Sequence, residues 1–292
     1  WLAAQMARLP AHSHVTDVPR LEALDRALAI PSNLSVFLSS ILKDEQLVKT
    51  IASRSYHQDL FDKVVLFSGD NWKLRMHVFE AATFSQAQEE IHSHRDHFVS
   101  YCVHGGIVQQ IWEEIDPAQS KEKMEQQNKP REDGKINSRG VDTHAPPQKS
   151  TSTAFPTFHK YEYDPTVSNG TRVFKIKNLG KVTLGPVDEE QKARAGQTYY
   201  MHPSVLHSVE GIEGKTVTLV LNRRAASKSC FASPQPWEET FVRRKISPEQ
   251  LRARIKEVME LMKKVSESGR SGLGGVGNRD DAKKIAKKGQ QK

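Results

Sequence analysis

Leu21, Leu24 and Leu28, then Leu34, Phe37, Leu38, Ile41 and Leu42, recur at helical spacing and predict two helices within residues 16–53. Pro31-Ser32-Asn33 is the expected break between them. From about Tyr56 the period drops to two. Val64-Val65-Leu66-Phe67 ends at the turn cluster Ser68-Gly69-Asp70-Asn71, and Leu74, Met76 and Val78 then alternate with Lys73, Arg75 and His77. Further strands are expected at 98–104, 107–115, 158–163, 172–177, 181–184, 197–201 and 216–222. Short strands separated by Gly, Asn and Pro turns describe a mainly β sandwich or small barrel.

Residues 116–154 interrupt this pattern. They hold almost no apolar side chains, cannot bury a core, and are expected to form a long mobile insertion. One helix closes the ordered part, over 247–267. Ser247-Pro248-Glu249-Gln250 is a capping box with Pro at the first helical position, and Leu251, Ile255, Val258, Leu261 and Met262 form its stripe. It is read as a packing element or a homodimer contact. The expected organisation is a helical segment 1–56, a β domain 57–225, an extension 226–268, and a disordered Gly- and Lys-rich tail 269–292.

A chain of 292 residues with 37% hydrophobic content supports one sizeable core with appendages, not two comfortable ones. The net charge is +8, but nine Lys/Arg against three Asp/Glu fall between Lys263 and Lys292. The other 262 residues therefore carry only +2, which argues against a basic groove for nucleic acid on the folded body. No apolar run approaches the roughly 20 residues of a membrane span, and no secretory leader pattern opens the chain. Trp1 in first position is read as numbering that starts inside a larger product or after processing. Two cysteines, Cys102 and Cys230, exclude a disulfide scaffold and a cysteine-based zinc site, and a cytoplasmic, reducing compartment is expected.

The candidate chemistry lies in the histidines. His92 and His94 stand two apart just before the strand at 98–104, so on an extended chain both imidazoles point the same way. His207 follows far along the chain, in Tyr199-Tyr200-Met201-His202-Pro203-Ser204-Val205-Leu206-His207. Two neighbouring ligands and a distant third are how β folds assemble a facial metal site. Imidazoles suit iron, copper, nickel and zinc rather than magnesium or calcium.

In this register the sequence resembles the cupin superfamily, with its two motifs G-x5-H-x-H-x3,4-E-x6-G and G-x5-P-x-G-x2-H-x3-N. His92, His94 and His207 take ligand positions, Gly105 the closing glycine of the first motif and Gly196 the opening glycine of the second. The resemblance covers roughly residues 57–224 and implies a double-stranded β-helix, a jelly-roll barrel, flanked by N- and C-terminal helices. The sequence departs from the pattern at Gln86 for glycine, Phe98 for the metal-binding Glu, His202 for proline, Ser204 for glycine and Gly211 for asparagine. What remains is a three-histidine site like that of thiol dioxygenases and some ring- or diketone-cleaving dioxygenases. The resemblance thus implies a non-haem metal dioxygenase that activates O2 on a small, directly coordinated anionic substrate. Fe(II) is the first choice, with nickel, manganese, copper and zinc open. Many cysteine dioxygenases carry a crosslinked cysteine where this chain has Phe98, which weakens an assignment to cysteine oxidation.

Other readings use the same residues. His94, Asp96 and His207 would be the HxD…H triad of a 2-oxoglutarate oxygenase. The cupin register disfavours it, because the closing glycine falls 13 residues after His92 and only 11 after His94. A non-catalytic cupin that binds a metal or ligand is the alternative from another class. Arg75 and His77 share a strand face and would bind a substrate carboxylate if that face lines the interior, or meet solvent if it does not. One of Tyr199, Tyr200 and His202 would hold the far ring nitrogen of a metal-binding histidine, or all three simply end an aromatic strand. His97 and His104 are read as polar strand positions, Arg223-Arg224 as a solvated strand end, and Cys102 as packing.

Overall fold

The computed structural model describes residues 18–58, 60–84, 89–116, 118, 155–168, 171–187, 190–224, 228–236 and 244–271. Most of the expected insertion and tail, residues 119–154 and 272–292, lie outside the described residues, as do 1–17 and Gln86. Three helices come first: α1 (Val18–Ala29), α2 (Pro31–Lys43) and α3 (Glu45–Arg54). Pro31 is at the start of α2, where its missing N–H costs nothing, and Asp44 caps α3 by accepting the Leu47 N–H at 2.9 Å.

The rest is mainly β. In order come β1 (Tyr56–His57), β2 (Phe61–Ser68), β3 (Trp72–Phe79), a short α4 (Ala81–Phe84), β4 (Ile91–His92), β5 (Asp96–His104) and β6 (Gly106–Glu114). Then follow β7 (Thr157–Ser168), β8 (Thr171–Pro186), β9 (Gln191–Arg194), β10 (Thr198–Met201), β11 (Leu206–Ile212), β12 (Thr216–Arg224), β13 (Ser229–Ser233), β14 (Arg244–Lys245) and α5 (Pro248–Ser271). They make two seven-stranded antiparallel sheets, in the orders β10-β5-β12-β3-β2-β1-β14 and β11-β4-β13-β7-β8-β6-β9. In the second sheet β11 also pairs with β6. β7 and β8 form a long hairpin, from Thr157 opposite Thr183 to Ser168 opposite Thr171, and only Leu184–Pro186 of β8 meet β6.

The apolar alternation of β3 faces away from the second sheet. Leu74, Met76 and Val78 pack with Val64, Leu66, Val99, Leu219 and Leu221 beneath the helices, against Leu21, Leu38, Ile51, Leu251, Ile255 and Val258. A second core fills the space between the sheets with Phe61, Phe79, Phe98, Cys102, Ile107, Tyr199, Met201, Val209 and Val220. Arg75 and His77, alternate to the helix-facing residues of β3, therefore face that interior, and His77 lies against Phe61 with ring centroids 4.7 Å apart.

The C-terminal extension is part of the sheets. β13 pairs with β4 and β7, and β14 with β1, so strands absent from the sequence expectation lie beyond its domain limit at 225. α5 begins with the expected capping box, Ser247 N–H to Gln250 Oε1 at 2.8 Å and Gln250 N–H to Ser247 Oγ at 3.2 Å, and runs to Ser271 rather than 267. Arg254 on α5 ties the helix to the first sheet through Asp62 at 2.6 Å and Glu80 at 2.6 Å. The two motif glycines sit at turns that require them: Gly105 has φ +75° and Gly196 φ +89°. At Gly105 a Cβ would also meet Thr216 Oγ1 at 2.5 Å and the Lys215 carbonyl at 2.6 Å.

Candidate metal centre

His92 ends β4 directly opposite His207 on β11, so strand pairing itself brings two histidines 115 positions apart together. His94 lies just past the end of β4, where its N–H donates to the Pro203 carbonyl at 3.2 Å. Between them Ser93 is locked to β13, its N–H donating to the Cys230 carbonyl at 2.8 Å and its hydroxyl accepting the Cys230 N–H at 3.0 Å. The three rings converge, with centroids 4.8 Å apart for His92–His94, 4.5 Å for His92–His207 and 4.9 Å for His94–His207. Their ligand nitrogens all fall within 4.8 Å of one another.

The far ring nitrogens are held by backbone. His92 Nδ1 donates to the Glu90 carbonyl at 2.9 Å and His207 Nδ1 to the Val205 carbonyl at 3.3 Å, which leaves each Nε2 as the free lone pair. His94 Nε2 and His207 Nε2 are 3.2 Å apart. Two nitrogens bound to one ion at about 2.1 Å lie roughly 3.0 Å apart at a right angle and roughly 3.4 Å apart at the tetrahedral angle. The donor set therefore fits a transition-metal ion.

Burial, reinforced by His92, holds the His207 imidazole well below the usual range. His94 is lowered by burial first, then by His92, His207, Lys63 and Arg75. His77 is lowered by burial and by the same Lys63 and Arg75. Neutral imidazoles are what a metal ion requires. Lys63 and Arg75 thus lie near enough for their charges to act on these rings, with Lys63 Nζ 5.6 Å from the centroids of Tyr56 and Phe61. Lys63, opposite His77 on β2, was not foreseen from sequence. The available signal was a lysine at the alternate position between the apolar Phe61 and Val65.

The interior wall carries buried polar atoms without hydrogen-bond partners among the described residues: Arg75 Nε, His77 Nε2, Thr218 Oγ1 and Asn222 Oδ1. Thr218 faces His77 in the β12–β3 register, and Asn222 faces Phe98 in the β12–β5 register. Buried polar groups are usually hydrogen-bonded, so a group of this kind is suited to a ligand or water that completes it. Phe98 closes the cluster from below, its ring perpendicular to that of His94 at 4.7 Å.

The remaining candidates are placed elsewhere. Asp96 starts β5 opposite Arg224 and is not in the histidine group. Tyr200 packs on the helix side of the first sheet, where its hydroxyl donates to His97 Nδ1 at 2.5 Å. His202 stacks edge-on against His97 with centroids 5.0 Å apart. Neither supplies the far-nitrogen contact of a metal-site histidine, since backbone carbonyls do so at His92 and His207. Arg223 is 1% exposed on the same helix side, not at a solvated strand end. No helix among the described residues is long and apolar enough to cross a membrane. No protein-family model matches the chain, and no curated protein matches it either, so the site stands on its own geometry.

Proposed function

We propose that this chain is a cupin-type metal dioxygenase in which His92, His94 and His207 hold one metal ion, Fe(II) by preference, with nickel, manganese, copper or zinc compatible with the same donors. The observation that carries this reading is the convergence of three imidazoles from β4, its following loop and β11 onto a point inside a β fold. When bound, such an ion supplies a redox-capable Lewis acid at which a small substrate and O2 meet.

The chain's own residues set what reaches it. Three neutral ligands add no negative charge, so the centre stays cationic and favours an anionic substrate atom such as a thiolate or enolate. Lys63 and Arg75 extend the positive potential along the wall, and Arg75 Nε and His77 Nε2 are available to orient a carboxylate or other polar end of the substrate. Phe98 removes the carboxylate that would complete a fourth ligand and keeps water from that side. The 2-oxoglutarate triad lacks support because Asp96 does not join the histidines.

Metal analysis of protein purified without chelators, followed by O2 uptake with thiols, diketones and 2-oxoglutarate, tests the proposal. Iron at one per chain with uptake driven by a thiol or diketone supports it. Uptake that depends on 2-oxoglutarate, or metal binding with no uptake for any candidate, overturns it in favour of the other oxygenase class or a binding protein.

A further inference from the structure

One turn orients two of the three histidines. Residues 202–205 close on the Val205 N–H to His202 carbonyl bond at 3.1 Å. The turn's Pro203 carbonyl accepts the His94 N–H, and its Val205 carbonyl accepts from His207 Nδ1. If the turn shifts, the backbone of one ligand and the ring of another shift with it.

On the opposite side of the first sheet, that turn is fastened to a chain of polar groups. Ser204 Oγ donates to His202 Nδ1 at 2.7 Å, and the Ser204 N–H reaches the same nitrogen at 3.3 Å. The His202 ring rests edge-on against His97 at 80°. His97, buried at 7% exposure, is held by the Tyr200 hydroxyl and lies nearly parallel to that ring, at 12°. Tyr200 is fixed in turn by the β10–β5 register, opposite Val99. Burial raises the Tyr200 phenol, so its O–H remains in place to donate. A run of two histidines, a tyrosine and a serine, connected in this way, is more than a strand end needs.

We propose that Tyr200, His97, His202 and Ser204 form a brace that positions the metal ligands His94 and His207 through the turn 202–205, without touching the metal. This inference rests on the metal site proposed above. Outer hydrogen-bond partners of metal ligands typically contribute about 10- to 100-fold in metal affinity. The brace acts one step further out, so losses near the lower end are expected.

Co(II) is the probe, because its visible absorption reports ligand geometry independently of any catalysis. Its dissociation constant, from competition with a chelator, and its spectrum are measured on the full chain for wild type, Tyr200→Phe, Ser204→Ala, Ser204→Thr and the remote control His104→Ala. Tyr200→Phe and Ser204→Ala are expected to bind Co(II) about 10-fold more weakly with altered visible bands, at unchanged melting temperature of the metal-free protein. Ser204→Thr, which keeps the hydroxyl, and His104→Ala are expected to match wild type. Tyr200→Phe deletes one oxygen and guards against loss of folding as the explanation. Variants that equal wild type in affinity and spectrum overturn the brace alone. A wild-type chain that takes up no Co(II) overturns the metal site, and the brace with it.

Discussion

In the proposed cupin register Phe98 takes the position of a fourth-ligand carboxylate, and its ring lies against His94. Phe98→Glu should therefore raise the melting temperature on addition of Co(II) or Fe(II) more than wild type does, while weakening the binding of anionic substrates. Equal destabilisation with and without metal, as for any buried unpaired carboxylate, would show that this side chain does not face the ion. His92→Ala, His94→Ala and His207→Ala should each lose stoichiometric metal by elemental analysis, and His104→Ala should retain it. A different residue sets a stability penalty. Asp25 on α1 is 1% exposed, and burial pushes its carboxyl well above the usual range, offset only in part by the Tyr101 backbone N–H. The folded chain then binds more protons than the unfolded one from about pH 4 upward, so this group costs stability as pH rises toward its folded value. Asp25→Leu is expected to gain about 1–3 kcal/mol at pH 8, measured by urea unfolding, with a smaller gain near pH 4. No gain at pH 8 would mean the carboxylate has a cationic partner. The histidine pair and Gly105 were legible in sequence because their spacing is local. Asp25 was not, since nothing in the primary structure marks its charged side chain as buried, and Lys63 could be placed only by its alternation with Phe61 and Val65.

At the scale of elements, α5 is where local sequence and tertiary packing agree. Its capping box formed as predicted, and Leu251, Ile255 and Val258 are fully buried against the other helices and the first sheet. Ser247→Ala should cost about 1 kcal/mol and Ile255→Ala about 2–5 kcal/mol in denaturant titrations. A loss below about 0.5 kcal/mol for Ile255→Ala would mean the helix is not part of the cooperative unit. The strands were less legible. β11, Leu-His-Ser-Val-Glu-Gly-Ile, escaped notice because its buried positions include His207 and Ser208, so the apolar alternation that marks a strand is broken by the candidate ligand itself. β8 runs through Asn178-Leu179-Gly180, which reads as a turn, because Leu179 is the extra residue of a bulge in β8 opposite Lys160 and Tyr161, and Gly180 absorbs the irregularity at φ +96°. β13 and β14 lay outside the expected domain because short strands gain their identity only from the partners they meet.

For the whole molecule, acid is the informative perturbation. His77, His94 and His207 all have lowered values in the folded chain, so below the ordinary histidine value near 6.5 the unfolded chain binds more protons and stability falls with pH. On the proposed site, a bound metal ion would compete with those protons at two of the three. The acid unfolding midpoint of metal-loaded protein should lie below that of metal-free protein, read by circular dichroism, and coincident midpoints would remove His94 and His207 from the metal site. The long hairpin bears on a different property, behaviour in a crowded solution. From Thr171 to Val182 the side of β8 away from β7 has no strand beside it among the described residues, since only Leu184–Pro186 reach β6 and the Thr183 carbonyl accepts the Ile115 N–H just beyond it. An open edge of that length is a template for another extended chain, and lysine is a common guard against such growth. Lys177 and Lys181 are exposed along this edge. Neutralising them, by Lys177→Thr with Lys181→Thr, should leave folding intact yet increase light scattering at high protein concentration, so that two side chains outside the candidate site would decide how long the protein stays dispersed.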